Sequence, residues 1–433
     1  MEKTAVALSK KDISLLIFLC WFAYTAAYVG RLNYNASQVL IIEFFNANRA
    51  EAGLIGSAFF FCYGVGQLVN GLLCKRYNSK IAIFAALALS CVLNVLMTLP
   101  SDISTLKYIW AANGVVQSVI WTSLVHMLSV YLPDNKIRRA ILVMSTTVAI
   151  GTVLAYGISS LCAQFFNWQT VFYICSGIVG ISALLWLILV NRIPNQKKFV
   201  DAYAQKNTAE ENQEMLGHRN KAKKVVFIAF LFVIVAAISN GLIKDGVAVW
   251  TSIILQNIFS LPASVAIIIT LILPLLSISG AFMANVLIKR QKNHMVVLLT
   301  VFSASVGALL ALIFFASFIL VLTVLCLTLL AILMAVANSV ITSMIPLDWR
   351  KIAGSGKVAG LINMFCYVGS TISGYGIGRL SDINPSAPWQ PVFVAMLAVA
   401  FLSAIFCAIA ALFWKKKITP LTEQADYTDK LNK

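Results

Sequence analysis

Two basic residues stand inside long apolar stretches of the chain. Arg31 lies near the middle of segment 13–42, and Lys244 lies slightly past the middle of segment 224–256. A cation at the centre of a membrane-spanning helix costs at least about 2.5–3.5 kcal/mol, so both residues are functional candidates. A guanidinium group binds phosphate or carboxylate oxygens in a bidentate way. We therefore expect the two cations to face each other across a central cavity and to bind an anion.

Four further residues could help to hold such an anion. Tyr28 and Asn33 flank the first cation, Asn240 lies one helical turn before the second, and Lys357 lies near one end of the eleventh apolar segment. Tyrosine and asparagine could orient a ligand, but they also serve as ordinary hydrogen-bonding residues between helices. Lys357 could contact the ligand or simply belong to the basic residues beside the membrane. The sequence leaves both interpretations open.

Asp245 is the carboxylate that we place inside an apolar segment, directly after Lys244. Asp245 could pair with the lysine and take it out of a ligand role, although neighbouring residues on a helix do not face each other. Proton-coupled carriers usually have titratable acids within the membrane. The scarcity of such acids favours exchange of one anion for another, although a single aspartate could couple transport to protons.

These residues require a membrane fold to position them. Of 433 residues, 60% are hydrophobic and 11% are charged, whereas soluble proteins are about 25% charged. This composition excludes a soluble globular protein, a disordered chain and a disulfide scaffold. Because a membrane-spanning helix needs about 20 apolar residues, we predict an all-α membrane protein with twelve spans. The predicted spans are 13–42, 52–74, 80–100, 106–132, 139–164, 168–191, 224–256, 261–288, 294–317, 319–346, 352–380 and 389–414.

The spans form two groups of six, which indicates a duplicated transporter. Asn167–Phe172 begins the sixth span, and the similar stretch Pro388–Phe393 begins the twelfth. The polar stretch between the groups cannot bury apolar surface and is predicted to be a solvated linker. The predicted units are an N-terminal half at 1–191, a linker at 192–223, a C-terminal half at 224–414 and a tail at 415–433.

The net charge of +17 follows the topology of the chain. If the N-terminus is cytoplasmic, 28 of the 33 Lys and Arg residues lie on that side and three lie outside. This asymmetry places both termini and the linker in the cytoplasm of a multi-pass cell-membrane protein. The cations are spread over seven cytoplasmic segments, so nucleic acid is excluded as a partner. Lys10 and Lys11 precede a first segment that is too long for a cleavable signal.

Other chemistries find no support in the sequence. The nine cysteines form no C-x-x-C pair, the three histidines lack metal-ligand spacing, and no Walker loop is present. We therefore expect no enzyme activity, no metal and no cofactor. The expected partners are a small organic anion, inorganic phosphate and the lipid bilayer, and the chain is expected to be a monomer.

Several motifs resemble those of the organophosphate:phosphate antiporters within the major facilitator superfamily. Tyr28–Asn33 is similar to that family's first-helix Tyr-x-x-Arg-x-Asn, and Lys244–Trp250 is similar to its seventh-helix Arg-Tyr-Gly-x-x-x-Trp. Gly71–Lys80 resembles the loop between the second and third spans, and Ala359–Gly369 resembles the eleventh helix.

The resemblance implies two pseudo-symmetric halves that rock about a central site, where the two cations bind the phosphoryl group. The implied activity is exchange of a phosphorylated metabolite, such as glycerol 3-phosphate or a hexose phosphate, for inorganic phosphate. The chain departs from the family pattern at three places. Lys244 replaces an arginine, Ala149 or Ile150 stands where the family has a fifth-helix histidine, and Lys75 replaces the aspartate of the loop motif.

Two alternatives remain open at this point. The chain could take up a carboxylate such as a sugar acid together with a proton, with Asp245 as the coupling residue. It could also be a non-transporting sensor that binds a sugar phosphate, as some members of the resembling family are.

Overall fold

A computed structural model describes residues 9–74, 76–132, 134–193, 219–291, 293–349, 355–384 and 386–418. Within these ranges the chain consists of long helices joined by short connections. Most of the predicted linker, the end of the predicted tail and Lys75 lie outside the described residues.

The first six helices agree with the predicted spans. They are α1 (Lys10–Phe45), α2 (Arg49–Leu73), α3 (Ser79–Leu96), α4 (Ile103–Tyr131), α5 (Asp134–Phe165) and α6 (Trp168–Val190). Polar side chains cap the N-termini of several of these helices, because the first N–H groups of a helix need hydrogen-bond acceptors. Asn48 and Glu51 form a capping box at α2, and the Asn167 side chain caps α6 by accepting from the Thr170 N–H.

The last six helices also match the predicted spans, including the short separation of the ninth from the tenth. They are α7 (Arg219–Phe259), α8 in three consecutive segments (Ala263–Thr270, Ile272–Ser277 and Ser279–Gln291), α9 (His294–Phe315), α10 (Leu320–Ser339), α11 (Ser355–Ile383) and α12 (Trp389–Phe413). The breaks in α8 flank Pro274, which has no N–H to donate to the helix. A π-helical turn at Val340–Met344 follows α10.

Eleven of these helices are long and apolar enough to cross a membrane by length and composition alone. The remaining one, α11, spans 29 residues but is rich in glycine and serine. The prediction of an all-α membrane protein with twelve spans is confirmed.

Helices α2 and α11 form the main contact between the first six and the last six helices. A Cβ atom at Gly53 would overlap the carbonyl oxygen of Gly374, and one at Gly64 would lie 2.6 Å from the Cβ of Tyr367. These glycines allow the two helix backbones to approach closely, as in other membrane helix pairs.

The two helices separate towards one end of the bundle. Gly71 is seven residues beyond Gly64 and therefore on the same face of α2, and Gly360 is seven residues before Tyr367 on α11. No described atom lies within 4 Å of a Cβ built at either glycine. We call this end, where α1 begins and where most cations of the described residues lie, the basic end, and we call the other the opposite end. The two groups of helices are thus packed together at the opposite end and apart at the basic end.

Candidate functional site

Arg31 lies among the rings of three tyrosines. Its guanidinium carbon is 3.8 Å from the ring centroid of Tyr28, 5.2 Å from that of Tyr63 and 6.0 Å from that of Tyr24. Tyrosine faces attract a guanidinium group by about 0.5–2 kcal/mol each but do not neutralise its charge. Among the described residues, no carboxylate lies within salt-bridge distance of Arg31. The arginine therefore keeps a free positive charge in the interior of a membrane protein.

A buried set of amides holds the turn of α1 that carries Arg31. The carbonyl oxygen of Gly30 accepts hydrogen bonds from Asn94 Nδ2 at 3.0 Å and from Asn113 Nδ2 at 3.3 Å. Ser90 Oγ donates to Asn113 Oδ1 at 2.7 Å, and Gln117 Nε2 donates to Ser90 Oγ at 3.0 Å. These bonds tie α1 to α3 and α4 and so fix where the arginine side chain begins.

Lys244 is paired with its neighbour, which is one of the two interpretations that the sequence left open. Its Nζ lies 3.3 Å from Asp245 Oδ1, and Ser370 Oγ of α11 donates a hydrogen bond to Asp245 Oδ2. The pair can form although the Cβ atoms of helix neighbours point in different directions, because the long lysine side chain can fold back. The two cations thus differ, since one is free and the other is partly neutralised.

Aromatic residues connect the surroundings of the two cations. Tyr28 stacks on Arg31 and is also within electrostatic range of Lys244. Tyr367 of α11 is within electrostatic range of both Arg31 and Asp245, and its ring centroid is 4.9 Å from that of Tyr63 on α2. The site is therefore shared between the first six and the last six helices.

The other sequence-predicted residues have different surroundings. Asn33 is fully buried, where Nδ2 donates to Asn94 Oδ1 at 2.7 Å and Oδ1 accepts from the Tyr34 N–H at 2.9 Å. Both ends of its amide are thus used within the first six helices, which favours a packing role. Asn240 Nδ2 donates to Asn338 Oδ1 at 3.3 Å, and its Oδ1 has no partner among the residues that the structure describes. Lys357 belongs to the first turn of α11, and its side chain lies outside the described residues.

Several residues near the cations were missed by the reasoning from sequence. They are Tyr63, Tyr367 and Ser370, together with Asn35 and Gln38 on the same face of α1 as Arg31. The last two could have been found from their spacing, because positions four and seven residues after Arg31 lie above it on a helix. The first three depend on which helices meet, and a single sequence does not give that information.

Polar contacts close the site at the opposite end. The Asp382 carboxylate of α11 accepts hydrogen bonds from the backbone N–H groups of Arg49 at 3.3 Å and Ala50 at 2.9 Å, and Arg49 Nη1 lies 3.6 Å from Asp382 Oδ1. Arg49 Nη2 also donates to Asn257 Oδ1 of α7 at 2.8 Å. Outside this closure lies an open cavity of about 570 Å³, lined in part by Val39, Ile42 and Asp382.

Known proteins with related sequences are membrane transporters. A sequence model of the Major Facilitator Superfamily matches residues 16–374. The chain is 21% identical over 432 residues to a probable hexose phosphate transport protein of Chlamydia pneumoniae, covering 90% of this chain and 89% of that one. It is 24% identical over 225 residues to a hexuronate transporter of Bacillus subtilis, covering 52% of this chain and 53% of the other.

The fold also matches solved structures. A bacterial homologue of the human lysosomal transporter Spinster, in an inward-facing and occupied conformation, superposes with a TM-score of 0.72 at 15% identity. The match covers 95% of this chain and 98% of that chain. At this level of identity the likeness concerns the fold alone.

Proposed function

The chain belongs to the Major Facilitator Superfamily and is therefore a membrane transporter by family and fold, and from its site we propose that it exchanges a phosphorylated metabolite for inorganic phosphate. The observation that carries this proposal is the Arg31 guanidinium, which is walled by tyrosine rings and has no carboxylate partner among the described residues. An unpaired guanidinium inside a membrane protein is stabilised by an anionic ligand.

We propose that Arg31 and Lys244 grip the phosphoryl group from the two sides of the site, with Tyr28 between them. Arg31 offers its planar fork to two phosphoryl oxygens, whereas Lys244 offers a point charge that it must first share with Asp245. In the empty carrier Asp245 stabilises the charge of Lys244. When an anion is bound, Asp245 competes with it for Lys244 and so favours its release. Such competition suits an exchanger, because a site that binds too tightly would not release its cargo.

The orientation of the site in the membrane follows from the charge asymmetry of the chain. We infer that the basic end is cytoplasmic, since cytoplasmic loops of membrane proteins are rich in Lys and Arg. The conformation described here is then open to the cytoplasm and closed outside. Rocking of residues 1–191 against residues 224–414 would expose the site to the other side, with 192–223 and 415–433 as the cytoplasmic linker and tail. We further propose a monomer in the cell membrane.

A second candidate is proton-coupled uptake of a sugar acid. It is favoured by Asp245, a carboxylate that contacts both a lysine and a serine inside the bundle, and by the similarity to a hexuronate transporter. Transport driven by a pH gradient and lost in Asp245→Asn would support it.

The test of the proposed function is phosphate exchange in proteoliposomes with Arg31→Ala and Lys244→Ala. We expect each variant to lose exchange, because the anion loses half of its positive surroundings, while the purified protein keeps its thermal stability. Lys107→Ala is the matched control, since Lys107 lies beside Tyr108 near the start of α4 and away from the site. Phosphate exchange at the wild-type rate by either site variant would contradict the proposal.

A further inference from the structure

Gln38 on α1 is a buried amide without a partner among the described residues. Its side chain has no exposed surface, and within the described part of the chain neither Oε1 nor Nε2 has a hydrogen-bond partner. Gln117 and Asn240 keep one unpartnered atom each but use the other in a hydrogen bond. A buried polar group without a partner destabilises the structure that contains it. Such a group calls for a reason, and a ligand that supplies the missing partners is one.

The position of Gln38 relates it to the anion site. It is seven residues after Arg31, which puts both on one face of α1 and about 10 Å apart along the helix axis. Asn35 lies between them on this face and is 7% exposed. Val39 and Ile42, just beyond Gln38, line the cavity at the opposite end. A polar stripe therefore runs from the Arg31 guanidinium towards that cavity, through the region that closes between the two groups of helices.

The polar groups of the stripe change from charged at Arg31 to neutral at Gln38. Arg31 provides donors with a full positive charge, which suit an anionic group. Gln38 provides two N–H donors and one carbonyl acceptor without charge. A sugar hydroxyl is both a donor and an acceptor, so two neighbouring hydroxyls can pair with both ends of the amide. The separation of the two residues fits a ligand that has its anionic group at one end and hydroxyls at the other.

We propose that Gln38 is the residue that recognises the hydroxyl-bearing part of the transported organic anion, while Arg31 binds its anionic group. The inference rests on the proposed function for the identity of the anionic group. Gln38 lies on the closed side of the site, so contact forms when the two groups of helices begin to separate at the opposite end around a loaded site. This movement brings the ligand's hydroxyls to an amide that lacks partners among the described residues of the empty protein. Inorganic phosphate has no part that reaches Gln38, so the residue acts on selectivity between the two exchanged anions.

The experiment measures dissociation constants on the purified full-length protein with two matched ligand pairs. One pair is glucose 6-phosphate and methyl phosphate, and the other is glucuronate and acetate. Gln38→Leu removes the amide and keeps a similar shape. We expect the preference for the hydroxylated member of a pair to fall about tenfold, which corresponds to the loss of one or two hydrogen bonds. Thermal stability should not fall, because the substitution removes a buried amide that lacks partners.

Gln117→Leu is the matched control. Gln117 is also a buried glutamine, but its Nε2 is bonded to Ser90 in the set of amides behind Gly30. We expect this substitution to lower thermal stability and to change both members of a pair by the same factor.

The outcomes separate the two proposals. If neither phosphate ligand binds but Gln38→Leu still lowers the preference for glucuronate over acetate, the proposed phosphate exchange fails and the role of Gln38 stands. If the preference is unchanged in both pairs, the role of Gln38 is overturned. A loss of thermal stability in Gln38→Leu with unchanged preference overturns it too, and assigns the amide to a structural water.

Discussion

At the scale of single residues, the positive charges of the two cations are neutralised to different extents. Arg31 is surrounded by tyrosine rings, whereas Lys244 is 3.3 Å from the carboxylate of Asp245. In the proposed function, an anion that enters the site would gain the whole attraction of the arginine but would compete with a carboxylate for the lysine. We therefore propose that the aspartate sets how tightly the anion is held.

Replacing Asp245 by asparagine should tighten anion binding. The substitution removes the competing charge and leaves Lys244 free for the ligand, so we expect the KM for phosphate to fall about threefold to tenfold, on the scale of about 1 kcal/mol for a partly exposed ion pair. Maximal exchange should slow because release becomes more difficult. The measurement is the concentration dependence of phosphate exchange in proteoliposomes.

Ser370→Ala is the control for this prediction, since it removes the hydrogen bond to Asp245 and keeps the charge. We expect a smaller change in KM in the same direction as the carboxylate becomes less well oriented. A higher KM in Asp245→Asn, or complete loss of transport driven by a pH gradient, would instead favour proton coupling.

Residues of this kind were only partly predictable from the sequence. Arg31 and Lys244 were evident, because a charge in an apolar segment is rare and costly. The Lys244–Asp245 pair was only one of two open interpretations, since its formation depends on how a flexible lysine side chain folds. Gln38 carries no charge. Its spacing from Arg31 puts it on the same face of α1, but its fully buried amide, which has no partner among the described residues, is seen only in the folded chain.

At the scale of helices, close packing of α2 against α11 depends on glycine. Gly53, Gly64 and Gly71 share one face of α2, but only the first two meet α11 among the described residues. Substitutions at these three positions therefore test the contact between α2 and α11 at different depths of the membrane.

Gly53→Ala should block transport, whereas Gly71→Ala should not. The new methyl group at Gly53 would overlap the Gly374 carbonyl oxygen, so the helices must separate at the opposite end. The same methyl group at Gly71 meets open space, and alanine is the better helix former by about 1 kcal/mol. We expect loss of exchange for Gly53→Ala and wild-type exchange with equal or higher thermal stability for Gly71→Ala. Equal exchange by both variants would show that the close contact is dispensable.

The helices themselves were predictable because long apolar runs separated by polar connections leave little choice. Even the short connection between Phe315 and Leu320 was placed correctly. The interruption of α8 was missed, although Pro274 marks it in the sequence. The meeting of α2 with α11 was not predictable, since it depends on how the two groups of helices are placed relative to each other.

At the scale of the whole molecule, the Asp382 carboxylate joins the two groups of helices at the opposite end. Asp382 of α11 accepts hydrogen bonds from the first two N–H groups of α2 and pairs with Arg49. A carboxylate at a helix N-terminus stabilises it by up to about 2 kcal/mol where it is partly buried. This contact is present only while the opposite end is closed, so it biases the molecule towards the conformation described here.

Asp382→Ala should therefore shift the population towards the conformation open at the opposite end, by about tenfold for a loss of 1–2 kcal/mol. The measurement is the rate at which a polar maleimide modifies a cysteine introduced at Ile253, which lines the cavity there. The same protein without the introduced cysteine gives the background of the nine natural thiols.

Asp102→Ala is the matched control for this shift. Asp102 caps α4 at the same end, where its Oδ2 accepts from the Thr105 N–H at 2.8 Å, but it makes this contact within the first six helices. We expect no faster modification in this variant. An equal rate in Asp382→Ala and the parent protein would contradict the closing role of Asp382.

The central claim is that the free guanidinium of Arg31 serves exchange of an organic phosphate for phosphate. Its most direct test is uptake of labelled glucose 6-phosphate by proteoliposomes that contain the wild-type protein and are loaded with inorganic phosphate, compared with liposomes that are loaded with chloride. We expect rapid uptake only with internal phosphate, without a pH gradient, and none with Arg31→Ala. Uptake at the same rate with internal phosphate and with internal chloride, or uptake that requires a pH gradient, would contradict the claim.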